Sequence, residues 1–224
     1  MWREPIMALL LIGSLGCDSA QQERSGVTSK ELTQLAQKAK AEGKPAITIG
    51  LTIEPDTGSR LRDVLRKSSI VVVTATGEPG VRVVGDASII TTQDFRVERW
   101  LHRIPASASD CFPPWPGVAD DDSLVTTRLA KGTVVVDGVQ ITEMTLAAID
   151  FAKGQRYVLL VNDCAGRRIE LAYLFNSVFT VANDGQIVVA DKNSLQIPFV
   201  KEIVELKTIS SLDERLKSLS TASD

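Results

Sequence analysis

The run SIVVVTAT, Ser69 to Thr76, is β-branched almost throughout. Side chains branched at Cβ are stiff in a helix and pack well on a pleated surface. A short apolar run of this kind reads as a strand. Its neighbours then have to supply partners for it.

Downstream, Ser88 to Leu101 is long enough to form a strand that bends, with Phe95 and Val97 facing opposite to Arg96 and Glu98. Thr133 to Val136, Tyr157 to Val161 and Ile169 to Phe175 read as further strands. Val178 to Ala182 and Ile187 to Ala190 flank Asn183-Asp184-Gly185. The Asp-Gly step marks a hairpin because glycine accepts a positive φ.

Upstream, the Pro55 to Ser59 turn leads into a short helix with Leu61, Val64 and Leu65 on one side. Arg60, Arg62, Arg66 and Lys67 form its other face, which reads as solvated surface. Ala46 to Ile53 alternates like a strand. Before it, Thr28 and Glu31 make a capping box for a helix whose Leu32, Leu35, Ala36 and Ala39 recur at helical spacing, and Gly43 and Pro45 end it. At the other end Ser211 and Glu214 form a second capping box, with Leu212, Leu216 and Leu219 on one face. The chain reads as mainly β, with short helices flanking the strands at both ends.

The first residues look like an address. After Met1 to Pro5 comes the apolar run Ile6 to Ile12, then the small residues Gly13, Ser14 and Gly16, then Cys17. Polar start, short apolar middle and small residues before a cut make a secretory signal, and the run is far below the roughly 20 residues that span a bilayer. This stretch also resembles the lipobox of bacterial lipoproteins, in which a cysteine directly after the cut receives the lipid. Gly16 fits that pattern, whereas Ser14 and Leu15 depart from it. Simple secretion with a free Cys17 and an uncleaved cytosolic start are the alternatives.

The expected organisation is a signal peptide over 1–16, a flexible polar tether over 17–27 and a single β-rich domain over 28–224, its barrel core at about 61–190. Cleavage leaves about 208 residues, enough for one domain with a sizeable core. The formal net charge of −3 survives the cut, since the lost segment holds one Arg and one Glu. A mildly acidic chain has no overall attraction to nucleic acid.

Between Ile104 and Ser123 the strand pattern breaks into a loop containing Cys111, Pro113, Pro114, Trp115, Pro116 and the acids Asp120, Asp121 and Asp122. Long loops in compact domains are often functional or mobile. Trp115 between prolines could present a rigid aromatic anchor or fold back over the barrel end. The three acids could offer oxygen to calcium, but adjacent residues rarely converge on one ion, so no metal is expected. Cys111 and Cys164 are an even pair in an exported chain and a disulfide candidate, with two free thiols as the alternative.

The segments LRDVLRKSSIVVVTATG, ITTQDFRVERWL, GTVVVDG, GQRYVLLV and FTVANDGQIV, taken in order, resemble a set of exported bacterial proteins built as small OB-type barrels, similar in shape to netrin-like modules. The likeness covers Leu61 to Val189 and rests mostly on core positions. It implies an OB-like small β-barrel. The inserted Pro/Trp/Asp loop and the added helices depart from that family. Netrin-like inhibitors use an N-terminal cysteine pinned beside the barrel, so the departure weighs against inhibitor activity.

Motifs for chemistry are few. His102 is the single histidine, so neither HExxH nor a multi-histidine metal site can be built. There is no GxSxG, P-loop or GxGxxG. Arg96, Arg99 and Arg103 share a long strand and could in an OB barrel face single-stranded nucleic acid, but only Trp100 lies near them to stack. The sequence thus points to a non-enzymatic binding module without cofactor, exported to the cell envelope, held to the membrane only through a lipid on Cys17, and contacting a protein or glycan. An envelope assembly factor is the second reading. A hydrolase with a carboxylate site is the third, and carboxyls with raised pKa values in one pocket would favour it.

Overall fold

A computed structural model describes residues 29–49, 58–84, 88–105, 123–144, 149–164, 168–189 and 192–221. In chain order they form helix α1 (Lys30–Ala41), strand β1 (Ala46–Ile49), helix α2 (Leu61–Leu65) and strands β2 (Ser69–Ala75), β3 (Gly80–Val84) and β4 (Ser88–His102). Strands β5 (Leu124–Leu129), β6 (Lys131–Val136), β7 (Val139–Met144), β8 (Arg156–Cys164), β9 (Arg168–Leu171), β10 (Val178–Val181) and β11 (Ile187–Val189) follow, then helices α3 (Pro198–Glu205) and α4 (Ile209–Thr221). Strand outweighs helix, 46% against 29%, so the chain is mainly β.

β2 explains why its sequence is apolar at nearly every position. It pairs antiparallel with β4 on one side and β8 on the other. Val71, Val73 and Ala75 point into one core with Leu159 and Val161 of β8, while Ile70 and Val72 point into a second core with Val158 and Leu160. A strand buried on both faces needs apolar residues at odd and even positions alike.

The strands β2, β4, β5, β9 and β8 pair in that order, and β8 returns to β2, closing a five-stranded barrel. The β5–β9 contact is parallel and the other four are antiparallel. The expected OB-like small barrel is therefore the fold. Its interior holds Phe95, Phe151 and Tyr157 packed edge to face, with ring centroids 4.8 Å apart for Phe95–Phe151 and 5.1 Å for Phe151–Tyr157. β4 bends through two irregularities in its pairing with β2, where Glu98 and Leu101 have no residue opposite. Extra residues of this kind bend and twist a strand, as closure of a small barrel requires.

Two further layers surround the barrel. On the outer face of β2 and β8, α2, α3 and α4 bury Leu61, Val64, Phe199, Val200, Ile203, Leu212 and Leu216. Beside the barrel, β1, β7 and β6 form a separate three-stranded sheet whose inner face packs Ile141, Val136 and Val139 against Leu32, Ala36 and Ala39 of α1 and Ile89 of β4.

Several local expectations shift. The α1 cap is Ser29, whose Oγ accepts from Leu32 N at 3.2 Å, one residue later than the predicted Thr28. Gly43 ends that helix at φ +69°, as expected. α4 starts earlier than the Ser211 box predicts, because Thr208 Oγ1 accepts from Ser211 N at 3.2 Å. The Asn183-Asp184-Gly185 hairpin joins β10 to β11, with Gly185 at φ +81°. The sequence reading missed β3, β5, β7 and α3. β7 had a visible signal, since Asp137 and Gly138 are a second Asp-Gly step, both at positive φ.

Candidate functional site

The ends of β4 and β8 meet at one rim of the barrel. Arg103, one residue past β4, sets its guanidinium 4.6 Å from the Trp100 ring centroid and donates from Nε to Asp163 Oδ2 at 2.7 Å. The Asp163 side chain is 5% exposed and that of Arg103 57%, so the carboxylate is buried and compensated while most of the cation faces outward. A buried carboxylate needs such a partner. Trp100 also packs against the barrel core.

Backbone bonds fix the same rim. Ile104 N donates to Ser69 Oγ at 2.9 Å, tying the exit of β4 to the start of β2. His102 Nε2 lies 2.8 Å from the Leu65 carbonyl oxygen. A carbonyl only accepts, so that nitrogen carries a proton and fastens α2 to β4. Where the chain re-enters the barrel, Val97 N donates to Ser123 O at 2.7 Å. The described residues on either side of 106–122 are thus anchored, Ile104 to β2 and Ser123 to β4. Cys164, next to Asp163, is buried and disulfide-bonded. Cys17, Cys111, Trp115, Asp120, Asp121 and Asp122 lie outside the described residues.

The three arginines read as sharing one long strand take separate surroundings. Arg96 is exposed on the outer barrel wall, Arg99 pairs with Asp213 of α4 at 3.3 Å, and Arg103 belongs to the rim. Glu98, standing between Arg96 and Arg99 without a residue opposite it on β2, is one reason the simple alternation fails.

Instead of a basic face, the outer wall carries paired charges and hydroxyls. Glu98 Oε1 accepts from Thr74 Oγ1 at 2.6 Å, and its carboxylate takes Arg156 Nε and Nη2, the latter at 2.6 Å. Asp94 Oδ1 accepts from Thr126 Oγ1 at 2.6 Å, and Glu170 Oε1 from Arg128 Nη2 at 2.7 Å. The Arg156 guanidinium holds the Glu98 carboxyl below its ordinary range, assisted by Thr74 and opposed by partial burial. Glu42 is likewise lowered, by Lys44. Neither carboxyl is tuned upward in the way a general acid requires. Burial pushes the Tyr157 hydroxyl up, against the Ala152 N–H that donates to its oxygen at 2.8 Å.

Among the described residues, no three or more His, Cys, Asp or Glu side chains gather as a metal site, and no helix is long and apolar enough to cross a membrane. The sequence reading missed Asp163, although its place at the end of an apolar strand, one residue before Cys164, was a usable signal. It also missed Glu98, whose role depends on the pairing of β2 with both β4 and β8. In comparison with known proteins, no family model, curated protein or solved structure matches this chain.

Proposed function

We propose that this protein is an exported, lipid-anchored binding module of the cell envelope, contacting a protein or glycan through the barrel rim and the loop that leaves it. The observation that carries the reading is the rim itself. Trp100, Arg103 and Asp163 interlock beside the disulfide-bonded Cys164 at the point where the 106–122 segment departs. A loop with its root held rigidly can present Trp115 at low ordering cost, which is what recognition gains from preorganisation. The address is supported by the Ile6 to Ile12 run before Gly16-Cys17.

Two measurements on the full chain test it. In a bacterium fed a labelled fatty acid, the wild type takes up label and Cys17→Ala does not; equal labelling, or none in either, removes the anchor. In crosslinked envelopes the wild type yields a discrete adduct that Trp115→Ala loses, while an adduct indifferent to Trp115, or no adduct, removes the recognition role.

A further inference from the structure

Two successive rungs of the barrel wall are polar, one on each face. On β4 and β5, Asp94 stands opposite Thr126, and Gln93 opposite Thr127. Alternation along each strand sends these two successive rungs to opposite faces. Asp94 and Thr126 face outward and bond to each other at 2.6 Å. Gln93 and Thr127 face inward, 2% and 1% exposed. Their inward neighbours on the same strands are Phe95, Val125 and Leu129 of the barrel core.

The inward pair is only half satisfied. Gln93 Nε2 donates to the Asp94 carbonyl oxygen at 2.9 Å. Because a carbonyl accepts only, the amide cannot be flipped without setting two acceptors against each other, so Oε1 is committed to the other direction. Gln93 Oε1 and Thr127 Oγ1 are both fully buried without a hydrogen-bond partner. They are cross-strand neighbours on one face, a relation that sets Cβ atoms about 4.5–5.5 Å apart, yet no hydrogen bond joins them. Orphaned buried groups are rare because each loses its hydration without replacement, and two on one inward rung can share a single remedy.

We propose that the barrel holds one internal water between Gln93 and Thr127, donating to Gln93 Oε1 and bonding Thr127 Oγ1. The chemistry suits a water better than an ion, since the pair is neutral and offers an acceptor beside a hydroxyl that both donates and accepts. The water closes the inward rung next to the outward rung that Asp94 and Thr126 close, and so stiffens the β4–β5 wall.

A crystal structure of the mature wild-type protein at about 1.5 Å is the direct test. Solvent density within about 3.2 Å of both Gln93 Oε1 and Thr127 Oγ1 is expected; a direct bond between the two side chains, or no density there, overturns the proposal. Thr127→Val removes the hydroxyl at nearly constant shape and gives a second, independent readout. If the hydroxyl holds the water, its loss lowers Tm by about 2–4 °C in a domain of this size. If the hydroxyl is simply unsatisfied, the same change leaves Tm unaltered or raises it, and the proposal fails.

Discussion

Glu98 shows how one extra residue organises a surface. It has no residue opposite it on β2, yet its carboxylate reaches Thr74 on β2 and Arg156 on β8, so one side chain ties together three barrel strands. Its pKa lies below the ordinary 4.5 in the folded chain, chiefly because Arg156 hydrogen-bonds the charged form. A depressed folded-state value means stability that is present above the unfolded pKa and is lost as pH falls through the folded one. Both side chains remain partly exposed, and screening limits such a pair to about 0.5–1 kcal/mol. Glu98→Gln should therefore lower the unfolding free energy read from urea titration at pH 7 by that amount, and the gap to wild type should narrow as pH falls below 4.5. A gap that persists undiminished at pH 3 would show that the residue acts through packing instead.

At the scale of elements, Gly132 decides how the small sheet docks. Strand β6 packs against β3 and the start of β4 at this residue, its second, whose φ is +141°. A Cβ there would lie 2.9 Å from Val81 Cγ1 and 3.0 Å from Ile89 Cγ2, closer than carbon atoms approach without displacement. Glycine in a strand often marks a place where another segment approaches closely. Gly132→Ala is expected to destabilise by about 1–3 kcal/mol through overpacking and strain, read by thermal denaturation. Adding Val81→Ala should recover part of the loss, because the nearest clash is with that side chain. Glu143 bridges the same junction, its carboxylate accepting from Ile89 N at 2.5 Å.

For the whole molecule, address and fold meet at the cysteines. Cys164 is disulfide-bonded, and the chain holds two other cysteines, Cys17 and Cys111. A sulfur that carries a lipid cannot also pair, so a lipid on Cys17 leaves Cys111 as the partner. The rim favours the same choice, since Arg103, eight residues before Cys111 in the sequence, is bonded to Asp163 beside Cys164. A bridge over a loop of about 50 residues contributes roughly 4 kcal/mol in the chain-entropy account. Peptide mapping of the mature protein under denaturing, non-reducing conditions should recover Cys111 joined to Cys164. Recovery of Cys17 joined to Cys164 would defeat both this pairing and the lipid anchor.

The sequence by itself determined which segments are strands where burial is simple. Ser69 to Thr76 and Tyr157 to Val161 are short, mostly apolar and rich in β-branched residues, which favours a strand buried on both faces over a helix. The Asp184-Gly185 turn was equally legible, because positive φ is written into the residue type. The OB-like outline came from the order of such segments. Tertiary structure decided the rest. β5 alternates threonines with apolar residues and gains its place from β4 and β9 rather than from its own propensity. β1 reaches its sheet only through parallel pairing with β7, about ninety positions away in the chain, a contact that local patterns cannot encode. Arg96, Arg99 and Arg103 look alike in sequence and separate in space, because a bulged strand and a helix packed from the far end of the chain set each one's partner. Local chemistry writes secondary structure, whereas pairing over long separations is settled only when the cores close together.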